Sequence, residues 1–283
     1  MPDYAYRIVN VFADSESPAP RLTGNPLCVF EDAQGLDDAT MQALALQFNL
    51  SETTFVLPSR RATARIRIFT PAFEMAFAGH PTLGSAHVVR ALRAAGDEIT
   101  LEMEAGVIPV TAHADQWTLQ ANAGRTRLPD VDVHAIAAAL GLEAAAIANR
   151  PLWVDTGNEQ LIVPLVSPEA VRACRPDPRR MSGLAGSGVP KIYAWAWQDA
   201  RNVLARFFLL KHHALDEDYG TGSAAANLGA WLVATRAALP VACVIHQGEP
   251  IGRPSRLQLD VDEGGRVFVG GRVVELGRGA VTL

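Results

Sequence analysis

A repeat the length of a whole domain limits what this chain can fold into more than any other feature. Thr23-Gly24-Asn25, followed by the apolar run Leu27-Cys28-Val29-Phe30, recurs as Thr156-Gly157-Asn158 followed by Leu161-Ile162-Val163. Phe77-Ala78-Gly79-His80-Pro81-Thr82, ahead of a helical pattern, has its counterpart in Asp218-Tyr219-Gly220-Thr221-Gly222-Ser223 ahead of another. Glu104-Ala105-Gly106 answers to His246-Gln247-Gly248. The offsets are 133, 141 and 142 positions, so order and spacing are both kept. A solenoid repeats every few tens of residues, so this is not one. The pattern implies two similar halves, and 283 residues suffice for two domains.

Each half alternates short β-rich runs with Ala/Leu helices, which places the chain in the α/β (α+β) class. Strands are expected over 6–12 and 27–30, then a helix over 37–48 with Met41, Leu44, Ala45 and Phe48 on one face. Strands follow at Thr53–Leu57 and Ala64–Phe69. A helix runs from Gly79 to about residue 95, with Pro81 in its first turn, where a missing N–H costs nothing. Runs at 99–103, 107–111 and 117–120 read as a strand meander. Asn122, Gly124 and Pro129 mark a linker, and a helix is expected at Val133–Ala139. The expected halves are 1–122 and 127–272, with 273–283 as a strand able to return to the first.

Several function classes fall away on composition and motif. A formal charge of −5 gives no electrostatic footprint for nucleic acid. Residues 183–188 are glycine-rich, but Val189 stands where a phosphate loop needs lysine, and 182–190 reads as a plain loop. GxGxxG after a strand, GxSxG, HExxH and CxxC are all missing. The adjacent His212 and His213 would point apart in a strand, so no metal site is expected. Cys28, Cys174 and Cys243 lie too far apart to suggest a disulfide framework. The opening residues lack a basic stretch before an apolar one, and the apolar run 135–148 is short and broken by Glu143. A soluble cytoplasmic protein is expected, with Trp195, Trp197 and Trp231 in its core. Lys191 and Lys211 are the only lysines among 25 basic residues, which reads as arginine-rich codon usage.

The residues that could carry chemistry cluster at the repeated turns. The turns at Gly79 and Gly220 each precede a helix, and a helix N-terminus offers unspent N–H groups to a carboxylate or phosphate. Two such turns facing one cleft would converge on one anionic ligand. Glu52 sits where a helix hands over to a strand, as a general acid/base or as a solvated loop acid. His80 is a hydrogen-bond donor or proton shuttle, or a polar cap. Asp218 binds an ammonium or carries a proton, or only compensates helix charge.

The segments Gly24-Asn25-Pro26, Asn49-Leu50-Ser51-Glu52-Thr53, Arg67-Ile68-Phe69-Thr70-Pro71, Phe77 to Gly84, Thr221-Gly222-Ser223-Ala224-Ala225 and Gly252-Arg253-Pro254-Ser255 run through nearly the whole chain in order. Together they resemble the phenazine-biosynthesis (PhzF-like) isomerase family. The resemblance implies a diaminopimelate-epimerase-like fold, each half a curled mixed sheet wrapped around a central helix. It implies a homodimer that needs no cofactor. By that resemblance Glu52 moves a proton within a dihydro-hydroxyanthranilate, and His80, Asp218 and Ser223 surround the substrate. Gly79, Gly222 and Ser223 then hold a carboxylate, and Asn25 and Arg253 belong to substrate-binding motifs.

Related epimerases place a cysteine at each helix start, where this chain has Ala78 and Tyr219. Two departures bear on the pocket. Tyr219-Gly220 replaces the usual Pro-x, and Asn158-Glu159-Gln160 stands where apolar or aromatic residues are usual. The expected function is a cofactor-independent isomerase moving a proton on a small carboxylate by glutamate acid/base catalysis. The alternatives are a non-catalytic metabolite-binding protein on the same fold, and an epimerase or racemase without cysteines.

Overall fold

The computed structural model describes residues 1–184, 190–211 and 214–283. The helical pattern expected from 37 begins one residue later, because Asp37 is the cap: its carboxylate accepts the Thr40 N–H at 2.8 Å. Most of the loop at 182–190, and His212 and His213, lie outside the described residues.

Two compact units divide the chain, Met1–Gln120 with Gly270–Leu283, and Ala121–Val269. The first contains β1 (Asp3–Val11), β2 (Asn25–Phe30), α1 (Asp38–Phe48), β3 (Thr53–Leu57), β4 (Ala64–Phe69), β5 (Glu74–Met75), α2 (Gly79–Arg93), β6 (Glu98–Met103), β7 (Gly106–His113) and β8 (Gln116–Gln120). The second contains β9 (Arg125–Arg127), α3 (Val133–Ala139), β10 (Leu152–Asp155), β11 (Gln160–Pro164), α4 (Pro168–Ala173), α5 (Pro178–Ser182), β12 (Lys191–Trp197), β13 (Asn202–Lys211), β14 (Ala214–Asp218), α6 (Gly222–Ala234), β15 (Val241–Gln247) and β16 (Ser255–Val261). The last strand, β17 (Val267–Thr282), starts in the second unit and pairs over Val273 to Thr282 with β1 of the first.

The sheet order repeats. In the first unit β1 is antiparallel to β2, β2 parallel to β3, β3 antiparallel to β4, β4 parallel to β6, and β6 antiparallel to β7. In the second unit the same sequence of pairings links β10, β11, β12, β13, β15 and β16. A short antiparallel partner, β5 or β14, precedes the central helix each time. Parallel neighbours need a crossover. The crossovers from β4 to β6 and from β13 to β15 are α2 and α6. Each unit is thus a mixed sheet curled around one helix.

Those two helices are buried on nearly every side, from His80 to Ala86 in α2 and from Ala224 to Leu232 in α6. Their glycines mark where sheet and helix touch. A Cβ on Gly84 would lie 2.6 Å from Leu27 and 3.0 Å from Val11, and one on Gly229 would lie 2.6 Å from Val267. Trp195 and Trp231 are buried edge to face, 5.3 Å between ring centres. Trp197, expected in the core, is 38% exposed, because it closes β12 at the sheet margin. All three cysteines are buried free thiols. No helix among the described residues is long and apolar enough to cross a membrane.

Replacing a helix-interior glycine normally gains up to about 1 kcal/mol of helix propensity. At Gly84 and Gly229 overpacking of about 1–3 kcal/mol outweighs it. Gly84→Val and Gly229→Val are each expected to lower the urea unfolding midpoint, and a raised midpoint would contradict the close approach.

Candidate active site

Helix starts are the natural place to look, and the two central helices differ from the others there. Asp37, Asp132, Ser167 and Asp177 each accept a backbone N–H at the start of α1, α3, α4 and α5. The cap residues of α2 and α6, Ala78 and Thr221, make no such side-chain bond. The first N–H groups of both buried helices are therefore not spent on their own caps.

In the first unit, local structure brings Glu52 and the Pro26 carbonyl to His80 at the start of α2. The parallel pairing of β2 and β3 begins at Cys28 and Thr53, which sets Glu52 just ahead of the first rung. Thr54 is pinned to the helix by the Ser85 hydroxyl at 2.9 Å. His80 lies in the first turn of α2 with its Nε2 3.3 Å from Glu52 Oε2. The ring also bonds the Pro26 carbonyl, and Nε2 makes no well-directed hydrogen bond, so Nδ1–H is the donor to Pro26. Burial pushes the imidazole pKa down to about 3, against the upward pull of that bond. The contact with Glu52 is therefore between a neutral ring and a carboxyl group, not an ion pair. His80 is not a cap, since its ring turns to β2 rather than to the helix N–H groups. Asn25, next to Pro26, is fully buried in β2.

In the second unit, Asp218 ends β14, and its carboxylate accepts the Thr221 hydroxyl at 2.6 Å and the Tyr219 N–H at 3.0 Å. The buried Gln247 clamps this turn. Its amide donates to the Asp218 carbonyl (3.0 Å) and the Thr221 hydroxyl (2.9 Å), and its oxygen accepts the Thr221 N–H (3.2 Å). Ser223, in the first turn of α6, accepts the Gln160 amide at 2.8 Å. Asn227, one turn on, donates to Gln160 Oε1 and the Asn158 carbonyl, both at 2.9 Å, and accepts from the Thr156 N–H and hydroxyl. Arg253 lies with its guanidinium 5.4 Å from the Tyr219 ring centre, and partial burial lowers its pKa from the usual arginine value.

Sequence reasoning missed Gln160, Gln247, Asn227 and Thr221 as site-building residues. The unusual Asn158-Glu159-Gln160 was one signal. Gln160 turns to Ser223, while Glu159 turns away to a bidentate pair with Arg127 at 2.8 Å. Asn227 was another, a lone carboxamide in an Ala/Leu/Trp helix. No thiol base is poised at either helix start. Burial raises the pKa of all three cysteines, to about 12 for Cys174 and Cys243, and Cys28 and Cys174 sit in apolar clusters.

The chain matches the sequence signature described as "Phenazine biosynthesis-like protein" over residues 9–280. It is 39% identical over 281 residues to an uncharacterized isomerase of Pasteurella multocida, covering 98% of this chain and 93% of that one. It is 34% identical over 262 residues to the trans-2,3-dihydro-3-hydroxyanthranilate isomerase of Pseudomonas aeruginosa, covering 90% and 89% of the two chains. The crystal structure of a Bacillus anthracis phenazine biosynthesis protein of the PhzF family superposes with a TM-score of 0.84 at 22% identity, over 100% of both chains. Two mixed sheets with buried central helices, uncapped helix starts and a sequence match along almost the whole length lead to one assignment: the chain belongs to the phenazine biosynthesis-like (PhzF) family and is an isomerase.

Proposed function

We propose that this isomerase moves a proton between two carbons of a small unsaturated carboxylate, with Glu52 as the carrier and no cofactor. The observation that carries this reading is the Glu52–His80 contact at the uncapped start of α2. Glu52 removes a proton from carbon, the double bond shifts along the conjugated system, and the same carboxyl returns the proton at the far end. Electrons are conserved, so the step needs no redox partner.

His80 is suited to the middle of that sequence. Its Nδ1–H is committed to Pro26, which leaves Nε2, 3.3 Å from Glu52 Oε2, as the basic nitrogen of the ring. A lone pair there favours the protonated glutamic acid that exists while the proton is in transit. The unspent N–H groups at Gly79 suit the substrate carboxylate, and their fixed dipoles oppose the charge that develops as carbon loses its proton. Asn25 directly precedes Pro26, the residue whose carbonyl fixes the His80 ring. Within the second unit, Gly222 and Ser223 at an uncapped helix start, with Asp218 and Arg253, form a separate cluster of candidate substrate-binding groups. The 34% identity to the Pseudomonas aeruginosa enzyme makes trans-2,3-dihydro-3-hydroxyanthranilate the first compound to try.

Proton NMR in D₂O on that compound, then on other small unsaturated acids, tests the carrier. Wild type is expected to shift the double bond with deuterium uptake, and Glu52→Gln to be slower by about 10²–10⁴-fold, the usual worth of general acid–base catalysis. Equal rates would remove Glu52 from the reaction. Ligand binding without any exchange would favour the metabolite-binding alternative.

The buried neutral His80 also makes stability depend on pH. Its folded pKa of about 3 lies below the usual histidine value of 6.5, so between those values the unfolded chain binds the extra proton. Stability from this group is full above pH 6.5 and declines as pH falls, by about 2 kcal/mol from pH 7 to pH 5. Urea unfolding at the two pH values should show a smaller loss in His80→Gln. Identical losses would mean that the folded ring titrates normally.

A further inference from the structure

The motif Arg67-Ile68-Phe69 at the end of β4 has no role in the proton transfer proposed above, yet the second unit repeats it as Arg206-Phe207-Phe208 in β13. Each arginine meets a glutamate on the short strand that precedes the central helix. Phe69 pairs with Glu74 of β5, and Phe208 with Glu217 of β14. Arg67 Nε and Nη2 donate to the two Glu74 carboxylate oxygens at 2.7 and 2.5 Å. Arg206 donates to Glu217 in the same fork, at 2.9 and 2.7 Å. Both guanidiniums lie over the phenylalanine two residues on, 5.0 Å from the Phe69 ring centre and 4.7 Å from that of Phe208. Both glutamates stand five residues ahead of a central helix, Glu74 before Gly79 and Glu217 before Gly222.

The remaining contact of each arginine leads away from that helix. Arg67 Nη1 donates to Asp38 in the first turn of α1 at 2.5 Å, and Arg206 Nη1 to the Cys174 carbonyl at the end of α4 at 2.9 Å. Phe69 belongs to the apolar cluster of Met41 and Leu44 from α1, and Phe208 to that of Val171 from α4. The clasps therefore sit on the sheet face turned to the peripheral helices, opposite the central one. What they govern is the path of the chain. β5 is two residues long and has little ladder to hold it. A bidentate arginine–carboxylate pair fixes a plane and a direction as well as a distance. Between the glutamate and the helix the chain is tied again, by the Ala105 N–H to the Ala76 carbonyl at 3.2 Å and by the Gln247 amide to the Asp218 carbonyl at 3.0 Å. Neither cap side chain bonds the helix, so this approach decides where the first turn closes. It closes through the Thr82 N–H on the Ala78 carbonyl (3.2 Å) and the Ala225 N–H on the Thr221 carbonyl (3.0 Å). The same fork recurs at the same place in two copies whose other polar residues differ, which marks a requirement that both helix starts share.

We infer that Arg67 and Arg206 are positioning residues of this isomerase, each clasping the glutamate ahead of a central helix and so fixing the geometry of that helix's first turn. The inference rests on the reading that these helix starts serve the reaction. The clasps themselves touch no reacting atom and act within their own unit.

Amide hydrogen exchange followed by NMR tests this on the full chain without a ligand. The first pair is the more exposed, with the Glu74 side chain at 33% against 11% for Glu217, so Arg67→Met is expected to remain folded. It should speed exchange of the Thr82 amide by about tenfold or more, while Val88 and Val89 farther along α2 and Ala225 in the other unit keep their wild-type rates. Arg206→Met combined with Glu217→Met removes both charges of the buried pair, and should move the effect to Ala225 and leave Thr82 alone. An unchanged Thr82 rate in folded Arg67→Met overturns the proposal, and so does an acceleration that Val88 and Val89 share equally. Turnover by wild type and Arg67→Met at matched melting midpoints, on trans-2,3-dihydro-3-hydroxyanthranilate first, separates this inference from the proton-transfer reading. A loosened first turn with a reduced kcat supports both. A loosened turn with an unchanged kcat would deny the start of α2 a part in the reaction, and the positioning role with it. An unchanged Thr82 rate beside a slow Glu52→Gln would defeat the clasp alone and leave the glutamate standing.

Discussion

A helix enclosed by a sheet on all sides has only its ends left to offer to other groups, and that constraint organises this protein. α2 and α6 bury most of their surface, and the strands approach so closely that Gly84 and Gly229 have no room for a side chain. The flanks of such helices can carry structure but little chemistry. Their N-termini are not capped by their own cap side chains. The peripheral helices show the contrast, since each spends an aspartate or serine on its own first turn. Polar residues delivered by neighbouring strands gather at those same ends, Glu52 beside His80 and Gln160 on Ser223.

The two units solve this problem in unequal ways. Around α2 the polar groups are few. A neutral imidazole is fixed by Pro26, a glutamate lies against it, and Thr54 and Ser85 tie strand to helix. Around α6 a continuous amide network joins Thr156, Asn158, Gln160, Asn227 and Ser223, while Gln247 holds the Asp218 turn. Carboxamides both donate and accept, so a closed network of them satisfies itself and stiffens what it touches. The first unit sets an acid against a neutral ring at its helix start, whereas the second closes its polar groups on one another. Duplication of one topology left each copy free to specialise, because the sheet pairings depend on backbone while the side chains at the helix start do not.

Much of the architecture was open to reading along the chain. The strands at Thr53–Leu57 and Ala64–Phe69 follow from runs of β-branched and apolar residues, and the helix from Asp38 follows from its apolar spacing and acidic cap. The turn motifs repeated at a domain-length offset pointed to the duplicated topology before any pairing was known. Ambiguity lay with single polar residues. Glu52 and His80 each had a bland reading beside the functional one, and for Glu52 the residues alone favoured the bland one, because a carboxylate between helix and strand, or a histidine in a first turn, occurs in many settings. Trp197 looked like core until the end of its strand left it at the sheet margin.

The sequence by itself determined the class of fold, the duplication, the helix starts and the family, since all of these are written in local periodicity and in short motifs kept in order. Only the tertiary structure decided which nitrogen of His80 faces Glu52, and that Gln160 rather than Glu159 turns to Ser223. Those outcomes depend on parallel pairings between segments tens of residues apart. A shift of one residue in such a pairing sends every side chain to the opposite face.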